Sequence, residues 1–410
     1  MNKKISVILP LMFLFISSSI FAETTILKSG KTIEGKILDK TDKYIKVDTE
    51  GVPITYYLED IASIDGKAIN TFKQHSPDQT FVPLTANSAE EYVKNGVAQY
   101  KQGNIPRAIS DFSKAIEINP NLIGAYCGRG IAYASQGNFS TAISNYNKAI
   151  EIDPKYPRAY NYRGSAYALQ GDFAKAISDL NKAIEIDPSY AQAYCERGLA
   201  YKGQNNFAQA ISDYTKTIEI DPKYVEAYNY RGLIYFAEGN FTQAISDYTK
   251  AIEVDPNYAE AYYDRGLAYK EQNNFVQAIS DFNKAIEVNP KYVNAYCGRA
   301  LAYGLQGNYT KAVFDFDKAI EIDPNYAGAY EYRGLLYARQ GNFAKAISDL
   351  NKAIEIDPKY VNTYKDRSIV YFKQKDFAKA WEDVHKVESL GDKVDPGFIE
   401  MLKKASGREK

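Results

Sequence analysis

The chain has 410 residues, more than one ordinary hydrophobic core accommodates, so several structural units are expected. Lysine plus arginine number 50 and aspartate plus glutamate 51, which argues against a general polyanion binder, so nucleic acid is not an expected partner. Hydrophobic residues make up 45%, enough for a folded chain, and 36 tyrosines against 2 histidines is an excess the fold must explain.

Residues 1–22 read as a signal segment. Lys3 and Lys4 form a basic start, Ile5 to Ile20 is apolar with Pro10 inside it, and Phe21-Ala22 precedes Glu23. Cleavage after Ala22 and export, to the periplasm or outside the cell, are expected. The run is short for a membrane span, and no other segment is long and apolar enough to be a transmembrane one. Residues 23–65 alternate apolar with polar in five short stretches separated by Gly, Asp and Lys turns, which predicts a small all-β barrel-like domain. The pattern "LKSGKTIEGKI…DKYIKV…ITYYLEDIASI" resembles the SH3-like or Sm-like barrels at the front of exported bacterial proteins. That resemblance implies a structural or docking role. Residues 66–88 carry Ser, Pro, Asn and Gln without periodicity and are expected to be a linker.

From residue 89 the chain repeats itself. The phrase "AIEIDPKY" stands at 149–156 and again at 353–360, and prolines fall at 120, 154, 188, 222, 256, 290, 324 and 358, always 34 residues apart. Units begin at 89, 123, 157, 191, 225, 259, 293, 327 and 361 and end at 394. In residues 225–258, Tyr228, Leu233 and Tyr235 share one helix face, and Gly239 can take the left-handed turn that ends a helix. Asn240 can cap a second helix whose stripe is Ala244, Ile245, Tyr248, Ala251 and Ile252. Asp255-Pro256 ends it, because the residue before proline avoids helical geometry. A period of 34 with Y-x-x-R-G-x-x-Y, then A-x-x-x-F/Y/L, then P resembles the tetratricopeptide repeat. The fold class is therefore mainly α: a solenoid of nine helical hairpins, 89–394, followed by a capping helix and tail at 395–410.

Three further sets recur. Gly130, Gly164, Gly198, Gly232, Gly266 and Gly334 lie mid-helix, where each costs about 1 kcal/mol relative to alanine, and close approach of the facing helix (Tyr248 beside Gly232) is the expected compensation. Tyrosines recur at the fourth, eleventh and last positions of the units and are expected in the core. Arg129, Arg163, Arg197, Arg231, Arg265, Arg299, Arg333 and Arg367 each precede Asn145 or an aspartate, Asp179 to Asp383, by sixteen residues. Partly buried ion pairs across each hairpin are predicted. At the C-terminal end, "DPGFIEMLKKA" predicts a short amphipathic helix with Asp395 as its cap and Pro396 in its first turn.

No residue pattern points to catalysis, a metal or a cofactor. His75 lies in the linker and His385 in the irregular last repeat, and the sequence has neither a glycine-rich phosphate loop nor H-E-x-x-H. Cys127, Cys195 and Cys297 occupy one repeat position at least two hairpins apart, beyond disulfide reach, and read as packed small residues.

The family resemblance implies a groove, lined by first helices, that binds a peptide or protein segment. The fifth position should be exposed there: Cys127, Asn161, Cys195, Asn229, Tyr263, Cys297, Glu331 and Lys365. The sixth varies more, with Tyr162, Glu196, Tyr230, Asp264 and Tyr332. The ninth position is Ile131, Ser165, Leu199 and Leu233 rather than asparagine, which argues against a clamp for C-terminal carboxylates. The first expectation is a non-catalytic interaction scaffold. The alternative is a cell-envelope accessory factor whose barrel binds glycan or nucleic acid while the array recruits a partner, and a structural spacer is a third possibility.

Overall fold

A computed structural model describes residues 87–407 and the backbone of six N-terminal strands: β1 Glu23–Leu27, β2 Thr32–Lys40, β3 Tyr44–Thr49, β4 Val52–Tyr57, β5 Ile61–Ile64 and β6 Lys67–Ala68. The signal segment and residues 69–86 of the expected linker lie outside the described residues. The strands pair antiparallel in the order β4-β3-β2-β1-β5-β6, with a register shift in β2 between Ile37 and Asp39. Where the sequence reading has five strands, the short β6 is a sixth, inside the expected linker. The chain forms two compact units, residues 1–162 and 163–410.

Nineteen helices follow among the described residues. The first unit holds α1 Asn87–Lys101, α2 Ile105–Ile118, α3 Ile123–Ser135 and α4 Phe139–Ile152. The division falls within α5 Pro157–Leu169. The second unit continues with α6 Phe173–Ile186, α7 Ala191–Gly203, α8 Phe207–Ile220, α9 Val225–Ala237, α10 Phe241–Val254, α11 Ala259–Glu271 and α12 Phe275–Val288. It closes with α13 Val293–Leu305, α14 Tyr309–Ile322, α15 Ala327–Arg339, α16 Phe343–Ile356, α17 Val361–Lys373, α18 Phe377–Ser389 and α19 Pro396–Ser406.

The repeated Asp-Pro phrase ends one hairpin and starts the next. Asp221 leaves helical geometry at φ −129° and ψ 92°, as the following proline requires. Its carboxylate accepts the backbone N–H of Lys223 at 3.0 Å, an Asx turn, and Tyr224 then leads into α9. Within the hairpins the turn needs one left-handed residue. Gly239 supplies it at φ 76°, while Asn205, Asn273 and Lys375 adopt φ 60°, 59° and 64° where glycine is missing.

The second helices begin on Asn or Asp caps that differ with the residue three positions on. Where that residue is Thr or Lys, as at Asn138, Asp172, Asn308, Asn342 and Asp376, the cap accepts its backbone N–H at 3.2 Å. Where it is Gln, the bond lengthens to 3.4 Å at Asn206 and Asn274. At Asn240 it is lost: the amide is bonded to the Gln243 side chain, so the expected cap is absent.

The deepest core lies between the two helices of each hairpin. Alanines there are fully buried, and one large side chain per second helix fills the gap: Phe112, Tyr146, Leu180, Tyr214, Tyr248, Phe282, Phe316 or Leu350. A Cβ on Gly232 would stand 2.7 Å from the Tyr248 ring and one on Gly198 2.6 Å from the Tyr214 ring, so these glycines permit the approach. Most fourth- and eleventh-position tyrosines are half-buried rather than in the core. They flank the arginines instead: the Arg197 guanidinium lies 5.4 Å from the Tyr194 ring centre and 6.0 Å from that of Tyr201.

The predicted arginine pairs form, and each arginine does more than pair. Arg231 Nε donates to Asp247 Oδ2 at 2.9 Å and Nη2 to Oδ1 at 2.7 Å, the bidentate fork that makes such pairs strong. Its third nitrogen, Nη1, donates to Thr215 Oγ1 at 2.9 Å, on the second helix of the preceding hairpin. The same triple contact joins Arg265 to Asp281 and Thr249, Arg299 to Asp315 and Asn283, and Arg367 to Asp383 and Asn351. In the first unit Arg129 donates to Asn145 at 2.8 Å and Ser113 at 3.1 Å. With no anion opposite, burial pulls the Arg129 pKa down.

The array ends on α19. Asp395 accepts the N–H of Phe398 at 2.8 Å, and Phe398 and Leu402 cover Tyr371, Trp381 and Val384. Trp381 Nε1 donates to Ser406 Oγ at 3.2 Å.

Asp247 is 7% exposed at its side chain, so removing its partner leaves a buried charge. Arg231→Met is expected to destabilise α9 and α10 by about 3 kcal/mol, read as lost amide-exchange protection in those helices. Arg231→Met with Asp247→Leu should recover most of it. Unchanged protection in the single variant would show that the fork contributes little.

Candidate partner-binding face

The fifth and sixth residues of the first helices do not form the open surface the sequence suggests. The fifth position is largely buried: Cys127, Asn161, Cys195, Asn229, Cys297 and Glu331 are all shielded from solvent, and Tyr263 and Lys365 are half-buried. The cause is a contact 35 residues long, in which the fifth residue of one hairpin meets the sixth of the next. Cys127 shares an apolar cluster with Tyr162, and Cys195 shares one with Tyr230. Asn229 Nδ2 donates to Asp264 Oδ2 at 3.1 Å. Glu331 and Asp366 are hydrogen-bonded to one another. A small residue faces a large one, or an amide or carboxyl faces a carboxylate.

The tyrosine that ends each hairpin leans on the same position. The Tyr292 ring lies 5.3 Å from that of Tyr263, and Tyr224 is hydrogen-bonded to Cys195. The three cysteines are free, and burial pushes each thiol up to about 12, so none is a ready nucleophile.

What remains open is the sixth position and its surroundings. Tyr162 and Tyr230 are half-buried, their rings 5.8 Å and 5.7 Å from Tyr146 and Tyr214. Tyr332, 39% exposed, stacks on Phe316 at 6.1 Å. Glu196 and Asp264 are half-buried, and burial raises both carboxyl pKa values, Asp264 to about 6. Lys365 is tied to Asp392 at 2.9 Å, so its charge is answered within the chain. Sequence reasoning missed Asp366, Thr363 and Tyr360, which surround Glu331. For Asp366 the signal was the 35-residue spacing, which a search at the repeat period of 34 steps over, whereas Thr363 and Tyr360 stand 32 and 29 residues from Glu331 and share no such spacing.

A depression beside the Arg197–Asp213 pair, lined also by Tyr194, Ser212, Thr215 and Lys216, shares no residue with this face. Among the described residues no three His, Cys, Asp or Glu side chains are grouped to hold a metal ion, and no helix is long and apolar enough to cross a membrane.

Family models described as TPR repeat match residues 96–137, 132–171, 164–205 and 232–273. Models described as tetratricopeptide repeat match 191–224, 259–292, 293–326 and 327–360, and a further one matches 213–246. Curated proteins give no match. Among solved structures, a tetratricopeptide repeat protein from Parabacteroides merdae is 27% identical over 62% of this chain and 99% of its own, with a TM-score of 0.49. The Cut9–Hcn1 hetero-tetramer of the APC/C is 16% identical over 77% of this chain and 76% of its own, with a TM-score of 0.50, a likeness of fold alone. YrrB, described as a TPR protein with an unusual peptide-binding site, is 23% identical over 48% of this chain and 97% of its own, at 0.39.

Burial of Glu331, reinforced by Asp366, raises its carboxyl to about 7, and burial raises Asp366 to about 6. Thr363 donates to Glu331 at 3.0 Å, and the Tyr360 hydroxyl also bonds to it. Between the ordinary carboxyl range and pH 7 the folded chain holds protons that the unfolded chain has released, so stability falls as pH rises through that window. Amide exchange in α15 to α17 should therefore be slower, after correction for intrinsic rates, at pH 5.5 than at pH 8. Glu331→Gln should flatten the difference, and a pH dependence equal to that of the wild type would exclude Glu331 as its source.

Proposed function

This chain belongs to the tetratricopeptide repeat family, and from that premise we propose that it is a non-catalytic scaffold holding a peptide or protein segment against its first helices. The observation that supports this reading most is a contrast between positions within the repeats. The arginine fork, the buried alanines and the large interhelical side chain are reproduced from hairpin to hairpin. The sixth position changes chemistry, from Glu196 to Tyr230, Asp264 and Tyr332, each at least partly open, with only Gly298 among the sixth residues closed off. A half-open surface rich in tyrosine and carboxylate suits side-chain recognition. The groove residues on this reading, all in the second unit, are Glu196, Tyr230, Tyr263, Asp264 and Tyr332, with the buried fifth-position residues beneath them as support.

The basic start and apolar run of residues 1–22 support export, and the alternating strands of 23–65 support a small docking barrel ahead of the array. The mature protein isolated from its host should begin at Glu23 by intact-mass analysis. An N-terminus at Met1 would speak for an uncleaved leader.

Cross-linking mass spectrometry on the full chain in its native host tests the scaffold. Protein cross-links gathered on α7, α9, α11, α13, α15 and α17 are expected. Links confined to residues 23–68, or glycan or RNA co-purifying through them, would favour the accessory-factor alternative. Turnover of a small molecule by the pure protein would overturn both.

A further inference from the structure

Between α9 and α11 the chain leaves buried polar atoms that it does not itself pair, one of them a pure acceptor. Asn229, 3% exposed, donates from Nδ2 to Asp264, yet its Oδ1 has no hydrogen-bond partner in the protein. Tyr248 of α10, fully buried below, has an unpartnered hydroxyl within the electrostatic reach of Asp264. A buried acceptor left unmatched costs about 1–3 kcal/mol, so such atoms usually meet a donor. Asp264 is itself short of compensation. Burial lifts its carboxyl, the Asn229 amide and the field of Lys202 hold it down, and Glu260 adds a like charge.

The rim has the same sign. Glu226 and Glu260 stand exposed in the first turns of α9 and α11, and their fields meet at Tyr258. Asp264, the idle amide oxygen and an acidic, tyrosine-bearing rim call for a donor-rich cation. Without three such ligands grouped for a metal among the described residues, an organic cation fits better than an ion. A guanidinium offers five N–H groups and an ammonium three, with no acceptor to conflict. An acidic segment would meet like charge at all three carboxylates, and an apolar one would leave the Asn229 oxygen and Asp264 unanswered.

We propose that Asp264 and Asn229, rimmed by Glu226, Glu260 and Tyr258, form a subsite for the arginine or lysine side chain of an extended protein segment. The proposal rests on the scaffold reading above and names the chemistry of the segment bound. The subsite selects for a positively charged partner, and Tyr258 supplies a ring face for the cation.

The test is selection of a random twelve-residue display library on the full mature chain, followed by fluorescence anisotropy with the best synthetic peptide. Selected peptides should share one fixed arginine or lysine. Replacing it by citrulline or acetyl-lysine should weaken binding at least tenfold. Asp264→Asn, checked for folding by circular dichroism, should reduce that discrimination to within twofold. Glu260→Gln, an exposed change that does not threaten the fold, should weaken the parent peptide about threefold and lower its salt dependence. Peptides with no fixed basic residue, or full discrimination in Asp264→Asn, would overturn the cation subsite while leaving the scaffold intact. Failure of the chain to enrich any peptide would count against the scaffold itself, and the subsite with it.

Discussion

The structure depends on what one guanidinium does with its three nitrogens. Two hold the aspartate of the arginine's own hairpin and fix how its helices cross. The third reaches the second helix of the hairpin before, sixteen residues back, and fixes the step between neighbours. The pair lies under partial cover, with arginine 17–20% and aspartate 2–11% exposed at the side chain, so its geometry is not washed out by water. Replacing a buried ion pair by apolar groups is often neutral for stability, so the fork is better understood as setting register than as supplying energy. Energy comes from the alanines and the single large side chain that fill each hairpin. Where asparagine replaces aspartate, at residue 145, the fork loses a tine and the arginine its counter-charge.

Much of this was readable from the letters because the period magnifies every signal. The Arg-to-Asp spacing of sixteen, the glycine opposite Tyr248 and the Asp395 cap were visible, since each rests on local chemistry repeated in phase. The contact sixteen residues backwards was not read, although Ser113, Asn181, Thr215, Thr249, Asn283, Asp317 and Asn351 are all short acceptors. The tyrosines were assigned to the core because an aromatic in phase looks like packing. Most instead flank a cation at the edge of cover, where an amphipathic ring can keep its hydroxyl wet.

The binding face was the least readable part, for a physical reason. Exposure at the fifth position depends on what the next hairpin presents 35 residues later, a relation between two repeats rather than a property of either. Cysteine opposite tyrosine, and asparagine opposite aspartate, are complementary choices made in pairs. The face that results is polar, aromatic and uneven. Its chemistry differs along the second unit, from Glu196 and Tyr230 through Asp264 to the Glu331–Asp366 pair.

Every bond of Arg265 reproduces one of Arg231 with both partners moved 34 residues on. Excising or duplicating one period in this stretch would therefore rejoin each arginine to an acid ahead and a short acceptor behind, and the seam would fall only where the fifth and sixth positions are matched, as Asn229 is to Asp264. The identical phrases at residues 149–156 and 353–360 stand six whole periods apart, so the chain between them is a whole number of hairpins. The arginine fork is thus interchangeable between hairpins, whereas the matched fifth and sixth residues and the terminal α19 over Trp381 are bound to one place.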